Sequence, residues 1–419
     1  MIDTAILRNA PDLLRTSLAR RGSPIDVDRL IELESSLRRV RAEAESVRAE
    51  QKEAGRVIAS LSGKEKEEAI AATAVLAERF RELTVTADQL EEEFQAGWVT
   101  VPNLVDATAA DGFSDADNLE IKRVGEPAEF GFEVRDHATL GSLLDVIDTE
   151  RGAKVSGSRF GYLKGKAVLL EFGLVRWALE RLVERGFTPM VPPVLVREEA
   201  LYGTGFFPGD REQVYSVPSD DLYLVGTSEV PLAAYHTDEI FDPDQLPLRY
   251  CGFSTCFWRE AGTYGKDTGG IFRVHQFDKL EMFAFVPPED SQAEHERILS
   301  VEESLVADLG LPYRVVNVAA GDLGSSAAKK YDIEAWFPSQ STFREVTSCS
   351  NTTDFQARRL RIRMRSEGGG TRIVHTLNGT AVAVGRIILA ILENHQQADG
   401  SVVIPEAIRS YVGFDRIEP

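Results

Sequence analysis

Between residues 26 and 98 the apolar positions fall in steps of three and four. Leu30, Leu33, Leu37, Val40, Ala44 and Val47 set the pattern, and Ala54, Ile58 and Leu61 keep it. This is the a/d seam of a helix that packs on another helix. Gly63, in Leu61-Ser62-Gly63-Lys64, predicts a reversal, after which Ala69, Thr73, Leu76, Phe80, Leu83, Ala87, Leu90 and Phe94 lay down a second seam. Two seams joined by a short turn predict an antiparallel coiled-coil hairpin, with helices of about thirty residues projecting on the order of 45–50 Å. A shorter helix is expected over 5–21, closed by Gly22-Ser23-Pro24.

The texture changes after Val101-Pro102-Asn103 and the Asp-rich stretch 106–118, which reads as a linker. Residues 167–185 predict an amphipathic helix ended by Gly186, and strand-like runs appear at 222–226, 250–258, 271–285, 312–318, 342–348, 356–364 and 371–377. The last two flank Gly368-Gly369-Gly370 and predict a long hairpin with those glycines as a plain turn. Most runs follow one another with no helix between, so the sheet is expected to be largely antiparallel. The expected fold class is α+β, an N-terminal antiparallel coiled-coil arm followed by an antiparallel sheet flanked by helices. The boundaries are 1–105, with the arm at 26–98, and 106–419.

Composition narrows the class. Hydrophobic residues make up 43% and charged residues 27% of 419, which suits a globular protein of two domains. Met1-Ile2-Asp3 opens no basic-then-apolar leader, and no run of eighteen apolar residues follows. Secretion and membrane insertion are therefore not expected, and a cytoplasmic protein is. Three cysteines make no disulfide framework. Cys251 and Cys256, an odd number apart on a strand run, face opposite ways and read as small buried hydrophobes rather than a metal pair. The net charge of −20 argues against general coating of nucleic acid, so any RNA contact must come from a local basic patch. Arg38, Arg41, Arg48, Lys52 and Arg56 recur at helical spacing beside the first seam. They form either a solvated face with Glu partners or a stripe for phosphate contact. The chain has neither a P-loop nor a dinucleotide glycine fingerprint.

The chemistry-bearing cluster runs Arg259-Glu260-Ala261-Gly262, Lys266-Asp267-Thr268-Gly269-Gly270 and Arg273-Val274-His275-Gln276-Phe277-Asp278-Lys279-Leu280-Glu281. It reads as strand, glycine-rich loop and strand, and it resembles motif 2 of the class II aminoacyl-tRNA synthetases, the seryl enzymes in particular. Gly186-Phe187 through Pro192-Pro193 resembles motif 1, and Leu377-Asn378-Gly379-Thr380 through Gly385-Arg386 resembles motif 3. Thr227-Ser228-Glu229 resembles the family's serine-binding loop, and Arg344-Glu345-Val346-Thr347-Ser348-Cys349-Ser350-Asn351 its ATP and metal segment. With the arm included, the resemblance to bacterial-type seryl-tRNA synthetases spans essentially the whole chain.

The resemblance implies activation of L-serine by ATP and transfer of serine to tRNA(Ser). Arg273 and Arg386 would hold the γ-phosphate end and, with Glu260, form the catalytic set. Trp258, Arg259, Val274, Phe277, Val346 and Thr347 complete the ATP site, with Phe277 stacked on adenine and Glu260 bonded to it. Glu345 and Ser348 would hold Mg²⁺, a hard ion that takes oxygen ligands. Thr227, Ser228, Glu229, Glu281, Asn378 and Thr380 would line the serine pocket. The basic stripe would meet the tRNA, whose helices are recognised mainly by shape. Motif 1 forms a subunit interface in this family, so a homodimer is implied.

Two positions depart from the family pattern. Motif 2 normally reads Phe-Arg-x-Glu, whereas this chain has Phe257-Trp258-Arg259-Glu260. Trp258 thus stands where an arginine would touch the α-phosphate and the substrate carboxylate. Arg259 is no direct substitute, because strand neighbours point to opposite faces. Gly269 stands where a second loop arginine is expected. Three readings are open: a working synthetase compensated by other cations, a diverged paralogue serving self-resistance or a secondary pathway, and a non-catalytic tRNA-binding protein. Retention of the other motif residues favours catalysis.

Overall fold

The computed structural model describes residues 1–261 and 271–419. The chain divides into two compact units, one of Asp3–Ala19 with Ser23–Val101, the other of Pro102–Pro419 with Met1–Ile2 and Arg20–Gly22.

The first unit is built on the helical hairpin of α1 (Val27–Ile58) and α2 (Gly63–Trp98). Asp26 caps α1 by accepting from the Arg29 N–H, and Gly63 opens α2 at φ 62°, which favours glycine. The seams meet as the heptads require. Leu30, Leu33, Leu37, Ala44 and Val47 of α1, and Leu83, Ala87, Phe94 and Trp98 of α2, are buried. Toward the tip the seam residues Ala54, Ile58, Ala69 and Thr73 are only half-buried, and three of the four are small, which leaves less apolar area to remove from water. The 5–21 segment is two short helices, Ile6–Asn9 and Pro11–Arg20, since Pro11 lacks the N–H that would continue the first.

The second unit holds an eight-stranded sheet. Its strands are β1 (Leu119–Val124), β2 (Thr188–Met190), β3 (Leu248–Phe257), β4 (Gln276–Val286), β5 (Tyr313–Asn317), β6 (Lys329–Phe337), β7 (Thr342–Thr353) and β8 (His375–Ala383). Their spatial order is β1-β5-β6-β7-β8-β4-β3-β2. Every pairing is antiparallel except β2 with β3. Helices α3 (Lys166–Glu184), α4 (Ser291–Asp308) and α5 (Val384–Asn394) supply Leu170, Trp177, Ile298, Leu305, Ile388 and Leu392 to the main core. The amphipathic helix ending at Gly186 is α3.

Three expectations are corrected. Residues 356–360 are not strand: Phe355–Leu360 is a helix that buries Phe355, Ala357 and Leu360 and ends at Arg361 in the left-handed region. The hairpin around Gly368–Gly370 is therefore short, pairing Arg363–Arg365 with Thr371–Ile373. The run that follows is β8, a central strand of the main sheet. Its buried residues face helices on one side and the cleft on the other, so they show no polar alternation. Residues 271–275 precede β4 rather than belonging to it.

Candidate active site

Strands β4, β6, β7 and β8 line a cleft of about 410 Å³. Strand alternation puts Phe277, Lys279 and Glu281 of β4 in its wall. Opposite Glu281 on β8 stands Thr380, whose hydroxyl donates to Glu281 Oε2 at 3.1 Å. Lys279 Nζ lies 2.8 Å from the same oxygen, and Glu281 is almost fully buried. Asn378, two residues back along β8, lines the cleft beside them.

Glu229 opens the short helix Glu229–Ala234 and is also buried. Gln356 Nε2 donates to its Oε1 at 2.7 Å. Burial pushes the Glu229 carboxyl up to about 7, and the neighbouring Glu281 charge pushes the same way. Thr227 stands at the cleft wall, and its hydroxyl accepts from the Glu229 N–H at 3.2 Å. Two carboxylates, two threonine hydroxyls and the Asn378 amide thus line one end of the cleft.

The other end of the cleft is cationic and aromatic. Phe277 and Val274 line it together with Arg273, which is ion-paired to Glu260. Arg386, in the first turn of α5, lies 3.2 Å from the Glu345 carboxylate, donates to the Glu345 carbonyl at 3.1 Å and sits over the Phe272 ring. The segment Glu345-Val346-Thr347-Ser348 lines the cleft along its length. A regular strand would turn alternate members away, but the β6–β7 register shifts so that Glu345 and Thr347 oppose consecutive residues, Glu334 and Ile333. Val346 is the bulged residue. Burial pushes the Glu345 carboxyl up, but Arg386 and Lys330 outweigh it and hold it below its ordinary range. An anionic carboxylate and the Ser348 hydroxyl, both lining the cleft, are hard oxygen donors that suit Mg²⁺, which usually takes one or two protein ligands plus phosphates.

Trp258 lines the cleft as an apolar wall. Its indole lies edge-to-face with Phe206 at 6.0 Å and covers Gly226, where a Cβ would come within 2.6 Å of Trp258 Cε3. Two of the expected site residues point elsewhere. Arg259, past the end of β3, lies over the Tyr215 ring at 4.3 Å and its Nε donates to the Val214 carbonyl at 3.3 Å. Ser228 is fully buried and its hydroxyl donates to the Gly252 carbonyl at 2.8 Å. It pins the loop to β3 instead of facing the cleft. Gly269 lies outside the described residues. Lys279, Lys330 and Gln356 were not anticipated. The period-two pattern through Phe277 and Glu281 points to Lys279, whereas Lys330 and Gln356 come from elements that only folding brings near.

On the hairpin, Arg38, Arg41, Arg48, Lys52 and Arg56 are all exposed. Arg41 is paired with Glu91 of the facing helix, Arg56 with Glu53 at 2.9 Å, and Arg48 lies over Phe80 at 5.6 Å. Arg38 and Lys52 project from the same side of α1.

Comparison with known proteins bears on the same two units. Residues 1–105 match the seryl-tRNA synthetase N-terminal domain, and residues 214–395 match the tRNA synthetase class II core domain (G, H, P, S and T). The serine–tRNA ligase of Thermobifida fusca is 52% identical over 100% of this chain and 99% of its own. That of Streptomyces coelicolor is 51% identical over 99% and 98%. The crystal structure of seryl-tRNA synthetase from Pyrococcus horikoshii complexed with ATP superposes with a TM-score of 0.95 at 40% identity, covering 100% of both chains. Full-length likeness at this identity means that the chain belongs to the seryl-tRNA synthetase family.

Proposed function

We propose that this chain uses ATP to activate L-serine as seryl-adenylate and passes the seryl group to tRNA(Ser). The observation that carries the reading is one cleft joining a phosphate-and-adenine end, Arg273, Phe277 and Arg386, to a buried polar pocket, Glu229, Glu281 and Thr380. Serine differs from alanine by one hydroxyl. A pocket that offers Glu281 and Thr380 as partners for the hydroxyl loses that hydrogen bonding with alanine and so discriminates against it. Phe277 would stack on adenine beside the Glu260–Arg273 pair. Glu345 and Ser348 would hold Mg²⁺, which neutralises the phosphate charge when bound. The terminal adenosine hydroxyl of the tRNA then attacks the seryl carbonyl and releases AMP. Serine-dependent ATP–pyrophosphate exchange and charging of tRNA(Ser) test both steps. Tight tRNA binding with no exchange would leave the non-catalytic reading instead.

Glu229 gives the reading a pH signature. With its carboxyl at about 7, the free site is mostly neutral below that pH and anionic above it. The serine ammonium stays charged throughout and binds the anion. The ionised fraction rises from about one-tenth at pH 6 to about nine-tenths at pH 8, so KM for serine should fall about ninefold. In Glu229→Gln the KM should be higher and flat across that range. A parent profile with no such fall removes Glu229 from ammonium binding.

Residues 1–105 would serve as the tRNA-binding part and 106–419 as the catalytic part. Arg38→Glu and Lys52→Glu should each weaken tRNA binding and lower the slope of log affinity against log salt by about one, read by filter binding. An unchanged slope would make the stripe a solvated face.

A homodimer is supported by α3, whose Leu169, Phe172 and Val183 are more than half exposed, an apolar stripe that water disfavours. Phe172→Glu should turn a dimer into a monomer in light scattering. A parent that is already monomeric would refute the assignment. No helix among the described residues is long and apolar enough to cross a membrane. Together with substrates that reside in the cytoplasm, this supports a cytoplasmic location, which cell fractionation tests.

A further inference from the structure

Trp258 removes a cation from the middle of the cleft, and the reaction still needs one there. In serine activation a carboxylate oxygen forms a bond to the α-phosphorus of ATP, the bond from that phosphorus to the bridging oxygen breaks, and pyrophosphate leaves with the electron pair. Two anions must therefore approach each other, and negative charge grows on the non-bridging oxygens between the adenine and serine ends of the cleft.

Among the described residues four cations line the cleft: Arg273, Lys279, Lys330 and Arg386. Two of them, Arg273 and Arg386, stand toward its phosphate end. Arg273 is paired with Glu260, Arg386 with Glu345, and Lys330 with Asp332 at 3.0 Å. Lys279 differs in place. It lies on β4 midway between Phe277 and Glu281, with all three side chains on the cleft face. Strand rise separates it from each by about 7 Å. A ligand with its base on Phe277 and its seryl group at Glu281 therefore carries its carboxylate–phosphate junction past Lys279. The ammonium has three donors and Glu281 takes one of them. Burial pulls the ammonium down, but Glu281 and Glu229 more than offset it, and Lys279 stays charged.

We infer that Lys279 is the cation that meets the reacting carboxylate–phosphate junction in this chain, in the place where Trp258 offers none. The assignment rests on the serine-activation reading above. A purely structural role, neutralising Glu281, is the alternative that the test must separate.

The test measures serine-dependent exchange and calorimetric binding of the seryl sulfamate analogue of the adenylate in the full chain. Lys279→Met is compared with the parent, in both the Trp258 and the Trp258→Arg backgrounds. Lys279→Met should lower kcat about a hundredfold, with KM for ATP moved less than about threefold. Lys279→Arg should keep most of the rate. In the Trp258→Arg background the loss should shrink to less than about tenfold, because two cations serving the same atoms are coupled. An equal loss in both backgrounds would make Lys279 a counter-ion for Glu281 and overturn the inference. So would exchange and analogue binding in Lys279→Met equal to the parent's. If the parent itself neither exchanges nor binds the analogue, the activation reading falls and takes this assignment with it. Should Lys279→Met lose its cooperative thermal transition, Lys279→Gln carries the same comparison with a side chain that can still bond Glu281.

Discussion

Replacing Arg386 by alanine is expected to lower serine-dependent exchange by about 10²–10³-fold. Arg386 is poised at the start of α5, braced by the Glu345 carboxylate and carbonyl and stacked over Phe272. Those contacts fix a planar fork of donors toward the end of the cleft away from Glu281, where the leaving pyrophosphate must be held. Removing the guanidinium takes away charge aimed at the leaving group. It also leaves Glu345 without the partner that keeps it anionic, so the oxygen pair suited to Mg²⁺ weakens too. Arg386→Lys should recover only part of the rate, because a point charge replaces a two-pronged donor. The effect should appear in kcat/KM for ATP, with little change in KM for serine. A loss smaller than about fivefold would remove Arg386 from phosphate binding.

Trp258→Arg is the second large effect, and in the opposite direction. Restoring an arginine at this position should raise exchange by about a hundredfold, the lower part of what one donor aimed at developing charge is worth, because another cation already serves the cleft. The site can accept the change. The indole covers Gly226 and meets Phe206 edge-to-face, and the arginine stem can cover the same apolar surface while its head reaches the cleft. Some packing is lost, because Trp258 is part of the cluster around Val196, Phe207, Val225 and Val230. Thermal stability should therefore fall by about 1–3 kcal/mol while activity rises. Such opposed changes would show that Trp258 serves packing at a cost in rate. An unchanged or lower rate would mean that this chain's chemistry has no use for a cation there. It would then favour a paralogue whose pocket is shaped by the tryptophan itself.

The coiled-coil hairpin and the antiparallel character of the sheet were legible from local pattern, because each rests on a short-range period. Seam residues such as Leu33, Leu37, Leu83 and Phe94 are buried as their spacing requires. Misread elements share a physical cause. Strand β8 and helix Phe355–Leu360 are buried on more than one side, which erases the polar half of each period. Nothing local then separates a helix from a strand.

The candidate site divides the same way. Motif residues give the identities of Glu229, Glu281, Glu345 and Arg386, whereas Arg259 is turned onto Tyr215 just past the end of β3. Sequence thus determines the kind of groups present, because residue type and period are carried by the chain itself. Only the tertiary structure decides their partners. It brings Gln356 to Glu229 across 127 positions and Thr380 to Glu281 across 99. It also buries Ser228 against Gly252 and sets Lys279 between the two ends of the cleft. The reason is that pKa, pairing and reach depend on distance and burial, and those are properties of packed neighbours rather than of any segment alone.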